Sequence, residues 1–305
     1  MNVLVTGGTG FVGREVVRQL AAAGDQAFLL ARHPRSPKTE TVTKPNAAQI
    51  RAGNILDPKS LPEACVGMDA VIHLVGIISE VGDQTYENVH TRGTENVVRA
   101  AQQADVKRFI HMSALGTRPD ATARYHQSKW AAEEIVRKSG LDWTIFRPSI
   151  IYGPGDGFVN LFAKIARRSP MVPVIGNGCS KLQPIAIENV GKAFAGALKE
   201  PRAISQTFTL TGPEVFTFNQ IVDEILMASR RKRLKLHLPI PVANIQATLL
   251  EILFGKILHQ PVPLNRDQIR MIREDNTGDG MPADQLFHLQ HRAFRDGIAG
   301  YLSST

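Results

Sequence analysis

Cysteine is scarce. The 305 residues hold two, Cys65 and Cys179, which excludes a disulfide framework and a four-cysteine zinc site and fits a reducing compartment. Aromatic residues reach only 6%, too few for a base-stacking platform, so no nucleic-acid partner is expected. No run attains the roughly 20 apolar residues that cross a bilayer. The nearest, 242–258, is interrupted by Asn244, Gln246, Glu251, Gly255 and Lys256. Met1-Asn2 leads straight into Val3-Leu4-Val5-Thr6, so no targeting leader is expected. The expected location is cytoplasmic, at most peripheral on the inner face of a membrane. Acidic residues are the minority, 28 against 36 Lys and Arg, and the net charge of +8 favours anionic ligands or surfaces. Hydrolase elbows, zinc-protease helices and Gly-Lys-Ser/Thr loops are absent. His288 and His291 stand at helical spacing without a third ligand, so they are read as solvent-facing and no metal is expected.

What is present is an alternation of short β-branched runs with helical patterns, the mark of a parallel sheet covered by helices. Strands are expected at 2–6, 27–31, 50–52, 70–75, 108–112 and 143–147, the last stopped by Pro148. Helices are expected at 10–23, 86–104 and 125–139. After a turn-rich loop at 152–157 the chain reads as mostly helical, with strand-like runs near 171–175, 182–186 and 207–211.

Between the first strand and the first helix stands Thr6-Gly7-Gly8-Thr9-Gly10-Phe11-Val12-Gly13. Such a turn lets backbone approach a pyrophosphate, because glycine has no Cβ to clash. The following helix offers free N–H groups and a partial positive charge. Tyr125 and Lys129, four apart, share one helix face, so an ammonium can lie beside a phenol and help it act as acid or base.

The glycine spacing and four further segments resemble the extended and atypical branches of the short-chain dehydrogenase/reductase superfamily. These are Asn88-Val89-His90-Thr91-Arg92-Gly93-Thr94, Tyr125-His126-Gln127-Ser128-Lys129, Arg147 to Asp156, and Pro184 to Val190. The resemblance implies a doubly wound Rossmann-type parallel sheet with a smaller, helix-rich C-terminal lobe. Residues 1–155 are then the dinucleotide-binding domain, with 182–200 returning to it, and 156–305 the substrate or partner lobe. It also implies a nicotinamide cofactor and oxidoreductase or epimerase-like chemistry on a small molecule. Tyr125 and Lys129 would be catalytic, Lys129 also touching the ribose, and Asn88 would order the site. Asn54 and Ile55 would meet the adenine. Leu74, Val75 and Gly76 would line the cofactor's other side, and Met112 and Pro148 the nicotinamide side.

Two departures sharpen the reading. The resemblance expects a hydroxyl at the position of Ala114; Ser113 is one residue early and, by strand alternation, faces elsewhere, yet remains the candidate donor. The end of the second strand carries no acid between Asp25 and Glu40. Arg32 and Arg35 stand there instead and would meet a 2′-phosphate, which makes NADP(H) the expected cofactor.

The basic run Arg230-Arg231-Lys232-Arg233-Leu234-Lys235 precedes an apolar segment with Ile245, Leu249, Leu250, Ile252, Leu253 and Phe254. Such a segment either roofs a pocket or docks on an anionic membrane or partner subunit. The glycine loop, Arg32, the shifted serine and this basic C-terminal part look most like the branch containing the nucleotide-binding accessory subunit of respiratory complex I. That resemblance implies a tightly bound NADPH and a respiratory-complex partner.

Overall fold

A computed structural model describes residues 1–302. Its opening half alternates strands and helices: β1 (Asn2–Thr6), α1 (Phe11–Ala22), β2 (Gln26–Ala31), α2 (Pro37–Asn46), β3 (Gln49–Ala52), α3 (Leu61–Cys65) and β4 (Ala70–His73). Next come α4 (Gly93–Gln103), β5 (Arg108–Met112), α5 (Arg124–Arg137), β6 (Asp142–Pro148), β7 (Ile151–Tyr152) and α6 (Val159–Arg168). Short strands follow, β8 (Met171–Ile175), β9 (Lys181–Leu182) and β10 (Ile185–Ala186), then α7 (Ile187–Ala197), β11 (Gln206–Leu210) and β12 (Phe216–Thr217). The chain closes with α8 (Phe218–Ala228), β13 (Leu234–Leu238), α9 (Ile240–Leu250), α10 (Arg266–Ile272), α11 (Met281–Phe287) and α12 (Phe294–Leu302).

Seven strands form one sheet in the order β11-β6-β5-β4-β1-β2-β3, every pair parallel. This is the doubly wound Rossmann-type architecture expected. Strand order reverses between β1 and β4, and the crevice beyond their C-terminal ends is where such sheets take ligands. Apolar side chains cover both faces. Val16, Val17 and Leu20 of α1 and Val190 and Phe194 of α7 pack on one. Val97 and Val98 of α4 and Val136 of α5 pack on the other. A separate core around Val159, Val172, Phe218 and Ile225 organises the C-terminal part.

Several expected elements are redrawn. The helix expected at 86–104 is divided: Glu87–Arg92 winds wider, with the Gly93 N–H donating to the Asn88 carbonyl, before α4 begins. Wide turns of this kind recur at functional sites. Helix α2 was not expected, since Pro37-Lys38-Thr39-Glu40-Thr41-Val42 carries no apolar stripe; the Ser36 hydroxyl caps it by accepting from the Thr39 N–H. Strand β13 emerges from the basic run and pairs parallel with β8, its alternation masked by charge. The run 182–186 splits between two small sheets. Helix α11 stops at Phe287 with His288 at φ 51, so His288 and His291 do not share a helix face; His291 Nε2 lies 2.9 Å from the Asp284 carboxylate.

Candidate functional site

Strand β1 delivers the chain to the glycine turn. Gly7 has φ +75, and its carbonyl accepts from the Gly10 N–H at 2.9 Å. Gly13 is where glycine is indispensable: a Cβ would lie 2.2 Å from the Gly7 carbonyl oxygen and 2.6 Å from the Gly8 Cα. Gly10 begins α1 with no side-chain cap and no acid in the first turn, leaving N–H groups and the positive helix end for an anion. Thr9 and Phe11 flank the turn, half-buried, while Val12 is buried beneath it. Phe11 also lies 3.6 Å from where a Gly153 Cβ would stand, so the loop after β7 passes over this helix end.

The turn's neighbour across the switch point is the segment after β4. A Cβ on Gly7 would come within 3.2 Å of the Val75 N and 3.3 Å of the Leu74 carbonyl carbon, so these two backbones meet closely. Arg32 and Arg35 lie exposed just past β2, and among the described residues neither makes a hydrogen bond or ion pair. The cradle, the uncapped helix end and the two unpaired guanidinium groups together fit a dinucleotide phosphate chain. Asn54 Oδ1 accepts from the Leu56 N–H at 3.1 Å, and Ile55 is buried against Gly93, its carbonyl accepting from Asn96 Nδ2 at 2.8 Å.

Helix α5 sets Tyr125 and Lys129 on the opposite bank. Lys129 is 1% exposed, donates from Nζ to the Met112 carbonyl at 3.0 Å, and lies 3.1 Å from where a Gly76 Cβ would stand. Burial lowers its ammonium to about 8, well under the usual lysine range. Burial also pushes the Tyr125 phenol up to about 12, so the ammonium does not lower it as the spacing implied. Helix α5 is itself anchored by the wholly buried Glu133, whose carboxylate accepts a bidentate pair from Arg147 at 2.8 and 2.6 Å. That pair fixes the helix against the strand that ends in Pro148.

Three buried imidazoles that sequence reasoning passed over surround Lys129. His73, from β4, bonds Thr6 Oγ1 at 2.7 Å through Nδ1 and Thr94 Oγ1 at 3.2 Å through Nε2. Thr94 already donates to the His90 carbonyl, so His73 Nε2 carries the proton. His90 Nε2 accepts from the Ile77 N–H at 3.0 Å, so its Nδ1–H donates to Ser128 Oγ, which donates to the Tyr125 carbonyl. His111, 1% exposed and stacked on His73 at 5.6 Å, finds no partner for either nitrogen. Burial, with Lys129 nearby, holds His73 at about 3, His90 at about 2 and His111 well below the usual range. The one available signal was that Ala70-Val71-Ile72 and Phe109-Ile110 each end in histidine.

Asn88 is corrected. Its Nδ2 donates outward to the Asp83 carbonyl, and the wide turn brings His90, two residues later, toward Gly76 and Lys129 instead. Ser113 is buried and donates to Thr117 Oγ1 at 3.4 Å, which bonds His126 Nδ1 at 3.3 Å, while Ala114 is half-exposed. Pro148 does end its strand, but its carbonyl is engaged by the Leu115 N–H at 2.9 Å.

Sheet, glycine turn and switch-point crevice define a nucleotide-binding α/β protein. The chain belongs to the NAD(P)H-binding family, which matches residues 7–163, just over half of it. It is 30% identical over 260 residues to the mitochondrial NADH dehydrogenase [ubiquinone] 1 alpha subcomplex subunit 9 of Rattus norvegicus, covering 84% of this chain and 68% of that one. A ceramide reductase of Caulobacter vibrioides is 32% identical over 205 residues, 65% of this chain and 61% of the relative. Among solved structures, the dTDP-glucose 4,6-dehydratase DesIV of Streptomyces venezuelae, with NAD and TYD bound, superposes with a TM-score of 0.76 at 20% identity, covering 99% and 96%.

Proposed function

We propose that this NAD(P)H-binding protein is an oxidoreductase with a preference for NADPH, Tyr125 acting as the proton donor. The observation that carries this reading is the placement of half-buried Tyr125 and buried Lys129 across the crevice from an uncapped α1 N-terminus and an unpaired Arg32. Residues 1–155 with 182–200 form the dinucleotide unit in this reading, joined by β11, and the rest of 156–305 closes over it. NADPH, when bound, supplies a hydride equivalent. The backbone of Gly7 to Gly13 holds its phosphates, Arg32 and Arg35 its 2′-phosphate, and Lys129 its ribose. The Tyr125 phenol, neutral well past pH 7, is set to give a proton to a reduced carbonyl oxygen. NADPH consumption with a carbonyl substrate, lost in Tyr125→Phe while NADPH affinity stays, tests the reading. Tyr125→Phe without effect on rate removes it.

A second reading, a nucleotide-holding accessory or assembly subunit of a membrane redox complex, is favoured by one surface and by the complex I subunits among its relatives. No helix among the described residues is long and apolar enough to cross a membrane. Yet α9 buries little more than Ala243 and Ala247, while its Ile245 and Leu249, and Ile257 in the segment that follows, are 64%, 62% and 64% exposed. Exposed Arg230, Arg231 and Lys232 lie just upstream in the same lobe. Apolar side chains beside cations fit an anionic bilayer surface, and from there a respiratory complex. Co-sedimentation with phosphatidylglycerol vesicles but not with phosphatidylcholine supports the docking. Co-purification with a respiratory subunit, with no vesicle binding, assigns the surface to a protein instead.

A further inference from the structure

We infer that the substrate is a neutral, lipid-class ketone rather than a nucleotide sugar; this deepens the oxidoreductase reading and rests on it. A cavity of about 280 Å³ opens where the two lobes meet. Its walls are Ile150, Phe158, Leu182, Phe218, Met271 and Ile272. Ile150 comes directly from the segment after Pro148, and His126 also lines the cavity, its ring meeting Tyr125 edge-on at 5.2 Å. The polar remainder is Gln268 and the Glu274-Asp275-Asn276 segment.

Charge decides against a nucleotide sugar. Among the described residues no Lys or Arg lines this cavity, whereas two carboxylates do. Arg118 stands beside it but is already paired with Glu274 at 2.8 Å, so a pyrophosphate brought there would be desolvated beside Asp275 with no unpaired cation, a costly arrangement. An uncharged chain of methylenes meets the opposite situation, since each one gains from leaving water.

Helix α10 ties this cavity to the outer surface. Its Met271 and Ile272 face the cavity, while Ile269 packs on Ala243 and Ala247, the buried stripe of α9. One helix therefore separates the substrate space from the exposed apolar face. A lipid held at a bilayer surface would need to pass only α10 to enter this cavity, whose His126 lies against Tyr125.

The reaction is a two-electron reduction. The carbonyl carbon gains a hydride from NADPH, the C=O π bond breaks, and the oxygen takes the Tyr125 proton. Products are a secondary alcohol and NADP⁺, and the phenol regains its proton from solvent.

The test uses the full chain loaded with NADPH and a homologous series of methyl ketones, with UDP-glucose as the competing class. Binding by calorimetry should tighten about fourfold per added methylene until the cavity is filled. Met271→Glu should flatten that series, and Met271→Trp should halt it at a shorter chain, both keeping NADPH affinity as proof of folding. If the variants do not fold, the wild-type series decides. A flat series, or UDP-glucose bound in preference, overturns the inference. Chain-length-dependent binding without NADPH consumption keeps the apolar site and removes the oxidoreductase reading. NADPH consumption with short ketones and no length dependence does the reverse.

Discussion

Asp267 of α10 caps the helix that carries Tyr125. Its carboxylate accepts from the Tyr125 N–H at 2.8 Å and from the Arg124 N–H at 2.8 Å, so a C-terminal residue fixes the first turn of α5. No side chain of α5's own N-terminus does this. Asp267→Ala is expected to cost about 0.5–2 kcal/mol, the usual range for a lost N-cap. Because the cap lies at the phenol and not at the glycine turn, NADPH affinity should hold while kcat falls. Thermal melts with and without NADPH, beside kcat and KM, check this; a weakened NADPH affinity would contradict it.

Gly13→Ala should abolish nucleotide binding, since its methyl group would stand 2.2 Å from the Gly7 carbonyl oxygen and α1 would have to shift. Gly300→Ala is the matched control, with nothing within 4 Å of the new Cβ on α12. It should be neutral or stabilise by up to about 1 kcal/mol through helix propensity. Fluorescence titration with NADPH distinguishes the two.

Arg32 should decide between cofactors. Wild-type protein is expected to bind NADPH more tightly than NADH, and Arg32→Ala should remove roughly ten- to a hundredfold of that difference, the usual worth of a charge-assisted contact. NADH affinity should hardly move. Equal affinities in the wild type would exclude the 2′-phosphate contact.

Acid should unfold the protein steeply. His73, His90, His111 and His126 all have folded-state values far below 6.5, the last at about 4. The unfolded chain therefore binds more protons than the folded one as pH drops below about 6.5, and stability falls with pH through that window. Each such histidine contributes a slope of up to about 1.4 kcal/mol per pH unit. His111→Phe removes one, and also removes two buried ring nitrogens without partners, so it should be neutral or stabilising at pH 7. Urea unfolding from pH 7 to 4 should show a slope reduced by about one proton; an unchanged slope would mean that His111 is not held neutral.

Much of the nucleotide half is local information, which is why it could be read along the chain. Strand β1, the glycine turn and α1 are contiguous, and Gly10 and Gly13 answer steric demands made within the turn itself, whereas Gly7 also makes room for Leu74 and Val75. Apolar periodicity located Arg108–Met112 and the helix bearing Tyr125 for the same reason. The surroundings of Lys129 were decided elsewhere. His73 and His111 come from neighbouring strands in register, His90 arrives through a wide turn, and Asp267 is brought back from 142 residues along the chain. A pattern that alternates every two or 3.6 residues records which face is buried, not which distant side chain shares it. The apolar stretch near 245–254 makes the same point. Its sequence allowed either a roof over the pocket or an outward face, and only the packing of Ala243 and Ala247 on Ile269 of α10 turned the larger side chains outward.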